Sequence, residues 1–321
     1  MIAKILAVFL LAATPPVRSA VAPVQTAYRR SPYVGAISAD AATKRIFFSS
    51  NADQPAYPAS VTKLMTALLV LEDVRAGKYR LTDLVTATAD VYRSEPSWVG
   101  LKVGEKMSVD SLLTALMVES ANDAAIALAV HASGSLDAFV ARMNTRAKAL
   151  KMERTTYYNP NGLPPGKHYP WKKFNVTTAS DQLKLALELV NRNPQILKYT
   201  SVKTAALIKT DFGYRVVPTR RSRESGVSEP VLASGEKLVK TLRNHNNVMV
   251  KDKQKVLNPD GKEAVDGLKT GYIDAGGSSV VVTGQRRGKR VIAVVLGSSS
   301  AKERDGQVAT LLEDALGTLV W

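Results

Sequence analysis

The chain has 321 residues, 45% of them hydrophobic, enough to bury the core of one large domain or of two interleaved subdomains. It contains no cysteine, which excludes a disulfide framework, a thiol nucleophile, a cysteine-ligated metal and a lipoprotein anchor. Its formal net charge of +16 indicates an anionic environment: nucleic acid for a cytosolic chain, cell-wall polymers or lipid headgroups for an exported one.

Residues 1–22 have the pattern of a cleavable secretory signal. Lys4 precedes the apolar run 5–13, and a small-residue pattern follows at 20–22. The apolar run is well short of the ~20 residues that a membrane-spanning helix needs, which favours a signal over an anchor. We therefore expect an exported protein, located in the periplasm or another cell-wall space outside the cytoplasm, with a mature domain of residues 23–321.

The first half of the mature chain is predicted to be a hairpin followed by a block of helices. Ser108 is the expected N-cap of one helix, and Thr178 with Asp181 resembles the capping box of another. A turn-rich stretch between them is predicted as loop. The predicted strands are 33–40 and 44–51, the helices 60–76, 108–119, 122–132, 135–150 and 178–190, and the loop 157–170.

The end of the chain adds a second hairpin and a final helix. Two β-branched runs, 278–285 and 290–298, flank the polar turn 286–289, and a helical pattern covers 302–321. Because strands come from both ends of the chain, this order predicts an α+β fold. We expect an antiparallel sheet flanked by helices, with a helical subdomain over roughly 64–200 inserted between its strands.

Residues 201–243 are predicted to form an exposed, basic excursion. They mix short strand-like pieces with a run that contains Arg220, Arg221 and Arg223. If this segment docks on an anionic cell-wall or membrane surface, neutralising the three arginines or adding salt should weaken binding to that surface. The alternative is a solvated loop. The basic residues of the excursion are Lys203, Lys209, Arg215, Arg220, Arg221, Arg223, Lys237, Lys240 and Arg243.

Ser60 and Lys63 are a candidate nucleophile and base. They lie three positions apart at the start of a helix, so their side chains share one face. A serine hydroxyl becomes a good nucleophile when a base takes its proton, and a lysine can be that base when burial and nearby cations lower its pKa. Other Ser–Lys pairs in the chain have the same spacing. This pair differs from them in the apolar helix behind it and in two partner motifs downstream.

The partner motifs are Ser120-Ala121-Asn122 and Lys269-Thr270-Gly271. The first interrupts two helical runs, where a hydroxyl can relay protons and an amide can hold a substrate; a helix C-cap followed by an N-cap is the alternative. The second precedes the C-terminal hairpin on a predicted edge strand. A cation and a hydroxyl there suit a carboxylate, and the glycine permits pairing with a peptide, whereas a solvated lysine is the alternative.

In this order the three motifs resemble those of the low-molecular-mass penicillin-binding proteins, the serine D-alanyl-D-alanine carboxypeptidase family. The resemblance runs from about Tyr33 to Trp321 and includes PASVTKLMTA, ESANDAA, YYNPNGLP, NHNN and VDGLKTGYIDAGG. It implies a β-lactamase/transpeptidase-like fold. It also implies a serine-type carboxypeptidase that trims the D-Ala-D-Ala terminus of peptidoglycan stem peptides through an acyl-serine and that β-lactam antibiotics inhibit covalently.

The resemblance further implies a role for each motif residue. The nucleophile is activated by the lysine, the two walls of the site hold the substrate, and backbone N–H groups form the oxyanion hole. The implied residues are, for catalysis, Ser60, Lys63 and Ser120; for substrate binding, Asn122, Lys269, Thr270 and Gly271; and, for the oxyanion hole, the backbone of Ser60 and Tyr272.

Several alternatives stay open. The chain stops at Trp321, so we expect neither the β-rich second domain nor the amphipathic tail helix of membrane-attached members, and smaller members include endopeptidases that cut D-alanyl cross-links. The residues that make up the second and third motifs favour the carboxypeptidase over the endopeptidase. A β-lactamase is disfavoured because no Glu between Asn122 and Lys269 has Asn four residues on. A secreted wall-binding protein without activity is the last alternative.

We expect no cofactor, no metal and no nucleic-acid partner. The three histidines, His131, His168 and His245, form no pair with the spacing of metal ligands. His131 is predicted on a helix surface, and His245 in a loop near the site.

Overall fold

The computed structural model describes residues 31–91, 96–167, 169–211, 213–219, 230, 232–250, 256 and 264–318. The expected signal segment, His168 and the three arginines of the basic run lie outside these residues.

The described residues form ten strands in two sheets, together with eight helices. The strands are β1 (Gly35–Asp40), β2 (Ile46–Ser50), β3 (Leu84–Thr86), β4 (Lys106–Ser108), β5 (Thr204–Thr210), β6 (Gly213–Thr219), β7 (Lys237–Arg243), β8 (Val265–Ile273), β9 (Gly277–Arg286) and β10 (Lys289–Ser298). The helices are α1 (Lys63–Arg75), α2 (Val109–Val118), α3 (Asn122–Ser133), α4 (Leu136–Ala149), α5 (Ala179–Arg192), α6 (Leu197–Thr200), α7 (Asn247–Val250) and α8 (Ala301–Thr318).

The first sheet takes its strands from both ends of the described chain. Its order is β2-β1-β10-β9-β8, and every pairing is antiparallel. The predicted hairpins at the two ends are therefore confirmed, and β8 lies at an edge, as the sequence predicts. Arg287 and Gly288 join β9 to β10 with positive φ angles of 50° and 79°, the two-residue turn whose twist matches that of a hairpin.

Both faces of this sheet are buried, which explains the unbroken β-branched runs of β9 and β10. Successive side chains of a strand alternate between the two faces. Val281 and Ile292 accordingly belong to one hydrophobic core with α1, α2 and α3. Val280 and Val282 belong to a second core beneath α8. The predicted α+β arrangement, an antiparallel sheet flanked by helices, is confirmed.

Helix α1 runs through the first core. Its residues from Lys63 to Leu71 are all buried, which is typical of a helix enclosed on every side. A 3-10 turn, Ala59–Thr62, leads directly into it, so the helix that the sequence predicts from Ser60 begins with a tighter first turn. Because the helix is fixed by packing around its circumference, the position of the turn at its N-terminus is fixed as well.

The predicted N-caps are present, one of them in a modified form. Ser108 Oγ accepts a hydrogen bond from the Ser111 N–H at 3.2 Å, and Thr178 Oγ1 accepts one from the Asp181 N–H at 3.1 Å. The Asp181 carboxylate does not return to the cap, as a capping box requires. It accepts hydrogen bonds from the Arg154 N–H and the Thr155 hydroxyl instead.

The prediction of an exposed excursion over 201–243 is wrong for β5, which is largely buried, whereas β7 is mostly exposed. The described parts of this segment form β5, β6 and β7, the larger part of a second sheet with order β3-β4-β6-β5-β7. Residues 205–208 of β5 are all buried, because α2 packs on this sheet. Gly213 permits the single parallel contact between β6 and β4, since an added Cβ would lie 2.1 Å from the Lys106 carbonyl oxygen.

Ion pairs also reduce the basic surplus that the sequence indicates for this segment. Three of its cations contact carboxylates at 3.1 Å or less. The pairs are Lys209–Glu105, Arg215–Glu236 and Lys240–Glu119. Its charge is thus partly used within the fold rather than held free for an anionic surface.

Among the described residues, no single helix has both the length and the apolarity to cross a bilayer; α3 and α4 meet those criteria only as a pair, bent by 86°.

Candidate active site

The Ser60–Lys63 pair lies at the junction of the 3-10 turn and α1. Lys63 Nζ is buried and lies 2.8 Å from Ser60 Oγ, 2.7 Å from Asn122 Oδ1 and 2.9 Å from the carbonyl oxygen of Asn161. A neutral amine has two N–H donors and one lone pair. Donation to the two carbonyl-type oxygens leaves the lone pair for the Ser60 hydroxyl proton, so the geometry suits a neutral lysine acting as a base.

Burial and charge favour that neutral form. Desolvation lowers the pKa of Lys63 well below its ordinary value, and the positive charge of Lys269 lowers it further. The carboxylate of Asp123 acts in the opposite direction. The candidate base therefore releases its own proton more readily than an exposed lysine does.

A loop that follows α4 holds the Ser60 turn, the 3-10 turn Ala59–Thr62, in place. Thr66 Oγ1 donates to the Pro160 carbonyl at 2.6 Å, and Asn175 Nδ2 donates to Thr62 Oγ1 at 3.0 Å. Gly162 has a positive φ of 83°, and an added Cβ would lie 1.8 Å from the Ala59 carbonyl oxygen. The loop and the turn thus meet backbone to backbone.

The Ser120–Asn122 motif forms the break between α2 and α3. Ser120 has a positive φ of 62°, which ends α2 and starts a sharp turn. Its hydroxyl lies at the candidate groove, is buried, and accepts or donates no hydrogen bond among the described groups. It is placed there as a free hydrogen-bonding group, while Asn122 contacts Lys63 from the same motif.

Asp123 anchors this wall of the site. Its buried carboxylate accepts hydrogen bonds from the N–H groups of Val99, Gly100, Leu101 and Ala124 at 2.8 to 3.2 Å. Burial raises its pKa, and these four N–H groups counter the rise. The carboxylate therefore ties the segment before β4 to the start of α3.

The third motif lies on β8, facing the Ser60 turn. Lys269 and Thr270 are buried, and Lys269 Nζ donates to the Thr270 carbonyl at 3.0 Å. Burial, with the nearby charge of Arg304, lowers the pKa of Lys269 to about 7. A Cβ on Gly271 would lie 2.5 Å from the Pro58 carbonyl oxygen. Gly271 is therefore required by the close approach of the protein's own backbone at Pro58, whether or not a peptide also pairs with it.

The three motifs line one open groove with a volume of about 490 Å³. Ser60, Ser120, Thr270 and Gly271 all border it, and Tyr272 stands at its rim with 61% of its surface exposed. The structure thus brings together the residues that the sequence singles out from three distant segments. The functional role of each stays a prediction.

Sequence reasoning missed Arg304 and the role of Asn161. Arg304 is buried at the groove beside Asp305, which binds its guanidinium at 2.8 and 2.5 Å. Asn247 donates to the same carboxylate at 2.8 Å. An adjacent Arg–Asp pair in a helix gives no sequence signal of its own. The NHNN stretch contains Asn247, and the YYNPNGLP stretch contains Asn161. Neither stretch indicates which of its atoms take part in the site.

The two described histidines lie where the sequence predicts them. His131 is exposed on α3, and His245 is in the loop after β7 at the border of the groove. Within the described ranges, no three His, Cys, Asp or Glu side chains are grouped so that they could hold a metal ion.

Comparison with known proteins defines the family. The profile of the peptidase S11 family, D-alanyl-D-alanine carboxypeptidase, matches residues 31–222. The chain therefore belongs to this family, and the penicillin-binding-protein fold that the motifs imply is confirmed.

Individual relatives agree with this assignment. D-alanyl-D-alanine carboxypeptidase DacF of Bacillus subtilis is 30% identical over 85% of this chain and 59% of its own length. The crystal structure of D-alanyl-D-alanine carboxypeptidase DacD from Francisella tularensis is similar with a TM-score of 0.74 and 28% identity, over 95% of this chain and 74% of that one.

Penicillin-binding protein D2 from Listeria monocytogenes, in its ampicillin-bound form, gives a TM-score of 0.66 at 26% identity, over 90% of this chain and 99% of that one. The chain spans about three fifths of the length of the curated carboxypeptidases that it matches.

Proposed function

We propose that the protein is a serine-type D-Ala-D-Ala carboxypeptidase that removes the terminal D-alanine from peptidoglycan stem peptides and is acylated by β-lactams. The observation that carries the proposal is the contact of Lys63 Nζ with Ser60 Oγ at 2.8 Å, with the other two contacts of the amine made to oxygen acceptors. Family membership supports it, as do the residues of the second and third motifs.

In the proposed acylation step, Ser60 Oγ attacks the carbonyl carbon of the penultimate D-alanine and its proton passes to Lys63 Nζ. The oxyanion is stabilised by the backbone N–H groups of Ser60 and Tyr272. Collapse of the tetrahedral intermediate breaks the peptide bond. The leaving D-alanine nitrogen takes up the proton, relayed from Lys63 through the Ser120 hydroxyl.

The substrate's terminal carboxylate is proposed to lie among three groups at the inner end of the groove: Lys269, Thr270 and Arg304. Lys269 and Arg304 supply positive charge and Thr270 a hydroxyl donor, the combination that a carboxylate binds most strongly. Thr270 and Arg304 both border the groove, and Lys269 is the neighbour of Thr270 on β8.

Deacylation then returns the enzyme to its starting state. A water molecule attacks the acyl-Ser60 carbonyl, gives a proton back to Ser60 Oγ by way of Lys63, and releases the shortened peptide. With a β-lactam, the leaving nitrogen stays tethered to the acyl group, and we expect the adduct to persist. Export to a cell-wall space completes the proposal. It is supported by the signal-like pattern of residues 1–22 and the cell-wall substrate of the relatives' named activity.

Two measurements test the proposal. A fluorescent penicillin should label the wild-type protein covalently, and Ser60→Ala should abolish the labelling. The unlabelled wild-type protein should also release free D-alanine from a stem pentapeptide. Absence of labelling would point to a wall-binding protein without activity. Opening of cross-linked dimers without D-alanine release would assign an endopeptidase, and rapid turnover of penicillin a β-lactamase.

A further inference from the structure

The two hairpin turns of the first sheet lie side by side at one end of that sheet. Asp40, the last residue of β1, pairs with Val291 near the start of β10, and the Ala41 N–H donates to the Arg290 carbonyl at 2.9 Å. The turn after β1 and the turn after β9 are therefore neighbours, about one strand spacing (~5 Å) apart.

These two turns expose four cations. Lys44 and Arg45 lie on the first turn, and Arg287 and Lys289 on the second, and all four side chains are exposed. Within the part of the chain that the structure describes, no carboxylate forms an ion pair with any of them. Asp40 lies between the turns, and its carboxylate accepts three hydrogen bonds from its own turn. Positive charge therefore dominates this end of the sheet.

The C-terminal ends of α1 and α5 add two more cations to the same surface. Asn191 Nδ2 of α5 donates to the Ala41 carbonyl at 2.7 Å, and Arg75 Nη1 of α1 donates to the Arg192 carbonyl at 2.9 Å. Both arginines are exposed, and Arg192 lies 3.6 Å from a carboxylate oxygen of Glu188. We call this surface the basic corner; it consists of Lys44, Arg45, Arg75, Arg192, Arg287 and Lys289.

Two large apolar side chains are exposed beside the basic corner. Ile46 and Phe48 lie on the edge strand β2 with 47% and 37% of their surface exposed. They are two positions apart and therefore share one face of the strand, whereas Phe47 packs against the core beneath α8. Surfaces that bind at the interface of a bilayer combine apolar side chains, which enter the acyl boundary, with cations, which attract anionic headgroups.

We propose that the basic corner, together with Ile46 and Phe48, is a docking surface for an anionic lipid bilayer. The charge selects an anionic partner. The two apolar side chains select a bilayer over a dissolved polyanion, which has no apolar layer to receive them. A second copy of this chain is a poorer partner, because two such corners would bring like charges together. The inference goes beyond the proposed function, since it involves no residue of the groove.

The position of the groove fits this docking surface. Arg286 lies on β9 at the end of the sheet that carries the basic corner, and Ser279 of β9 pairs with Gly271 at the groove. From Arg286 to Ser279 the strand advances seven residues, or roughly 23 Å. A bilayer that contacts the basic corner therefore leaves the groove open.

The test measures co-sedimentation of the full chain with two kinds of vesicle: phosphatidylcholine alone, and phosphatidylcholine mixed with anionic phosphatidylglycerol. We expect the wild-type protein to bind the mixed vesicles alone and to bind them more weakly as salt is added. The double variant Arg287→Gln/Lys289→Gln should lose roughly 25-fold in affinity, at about fivefold per cation. Ile46→Ser/Phe48→Ser should lose about tenfold, because less apolar surface leaves water on binding.

The matched control is Lys148→Gln/Lys151→Gln, which removes the same charge from two exposed sites that make no ion pair with a described carboxylate. These lysines lie beside the first half of α5, where Lys184 Nζ donates to the Lys151 carbonyl, away from Asn191. The control should bind the mixed vesicles with wild-type affinity. Urea unfolding of each variant confirms that it is folded.

Equal binding of the wild type to both kinds of vesicle, or an equal loss in the control, overturns the docking surface. Wild-type affinity of Ile46→Ser/Phe48→Ser, combined with binding of soluble polyphosphate, would assign the corner to a dissolved polyanion instead. Fluorescent penicillin should label the vesicle-bound protein at the rate of the free protein, and vesicles that block labelling overturn the orientation. Absence of labelling with and without vesicles would overturn the proposed function and leave the vesicle result standing.

Discussion

Adding a single methyl group at Gly271 should move β8 away from the turn that carries Ser60. In Gly271→Ala the new Cβ would lie 2.5 Å from the Pro58 carbonyl oxygen and 3.0 Å from the backbone nitrogens of Ser60 and Val61. Carbon–oxygen contacts settle near ~3.3 Å, so strand and turn must move apart by roughly 0.8 Å. A misplacement of about 1 Å costs on the order of 10²-fold in rate. We expect acylation by a fluorescent penicillin to slow by roughly 30- to 100-fold.

The matched control is Gly306→Ala on α8, where an added Cβ meets no atom within 4 Å. It should acylate at the wild-type rate and gain about 0.5–1 kcal/mol in stability, because alanine is the better helix former. Gly271→Ala should lose about 1–3 kcal/mol through overpacking, measured by urea unfolding. Acylation of Gly271→Ala at the wild-type rate would refute the reasoning that this glycine sets the distance between β8 and Ser60.

Three further outcomes are expected. Lys269→Met removes a charge that lowers the pKa of Lys63, so the acidic limb of a pH profile of penicillin acylation should move to higher pH; an unmoved limb contradicts the coupling. In the wild type, kcat/KM for the peptide should fall as pH rises through about 7, because carboxylate binding needs protonated Lys269, and a profile that keeps rising contradicts that role. Arg142→Ala leaves the buried Asp73 carboxylate without its bidentate partner and should cost about 3 kcal/mol in urea unfolding, whereas a loss below about 0.5 kcal/mol would show that Lys78 compensates.

The parts of the site that the sequence predicts depend on local rules. Ser60 and Lys63 meet because of helical spacing, and Ser120 lies at a break because two helical runs meet there. The edge position of Lys269 follows from the hairpin after it, because the two strands of that hairpin, β9 and β10, occupy inner positions of the sheet. Each of these statements needs only a few neighbouring residues, so a single sequence suffices for them.

The parts that the sequence does not predict depend on distant contacts. The second sheet unites β4 with β6, more than 100 residues apart, through one parallel contact, and β3 and β4 are only three residues long. The carbonyl of Asn161 reaches Lys63 across 98 residues. A backbone carbonyl carries no residue-type signal, so no composition or period can indicate such a ligand. Arg304 is similar, because only the packing of α8 brings it to the groove.

The backbone contacts of Gly162 and Gly271 have a consequence for inhibitors. They hold the Ser60 turn between a loop on one side and β8 on the other, and a Cβ at either glycine would lie 2.5 Å or less from a backbone oxygen of residues 58–59. The turn therefore has no room to retreat when a bulky acyl group arrives, and the space must come from elsewhere. The loop that carries His245 and the segment around Ser97 border the groove on its other sides. Substituents that enlarge a β-lactam should therefore be tolerated when they extend toward these two segments and rejected when they extend toward the turn.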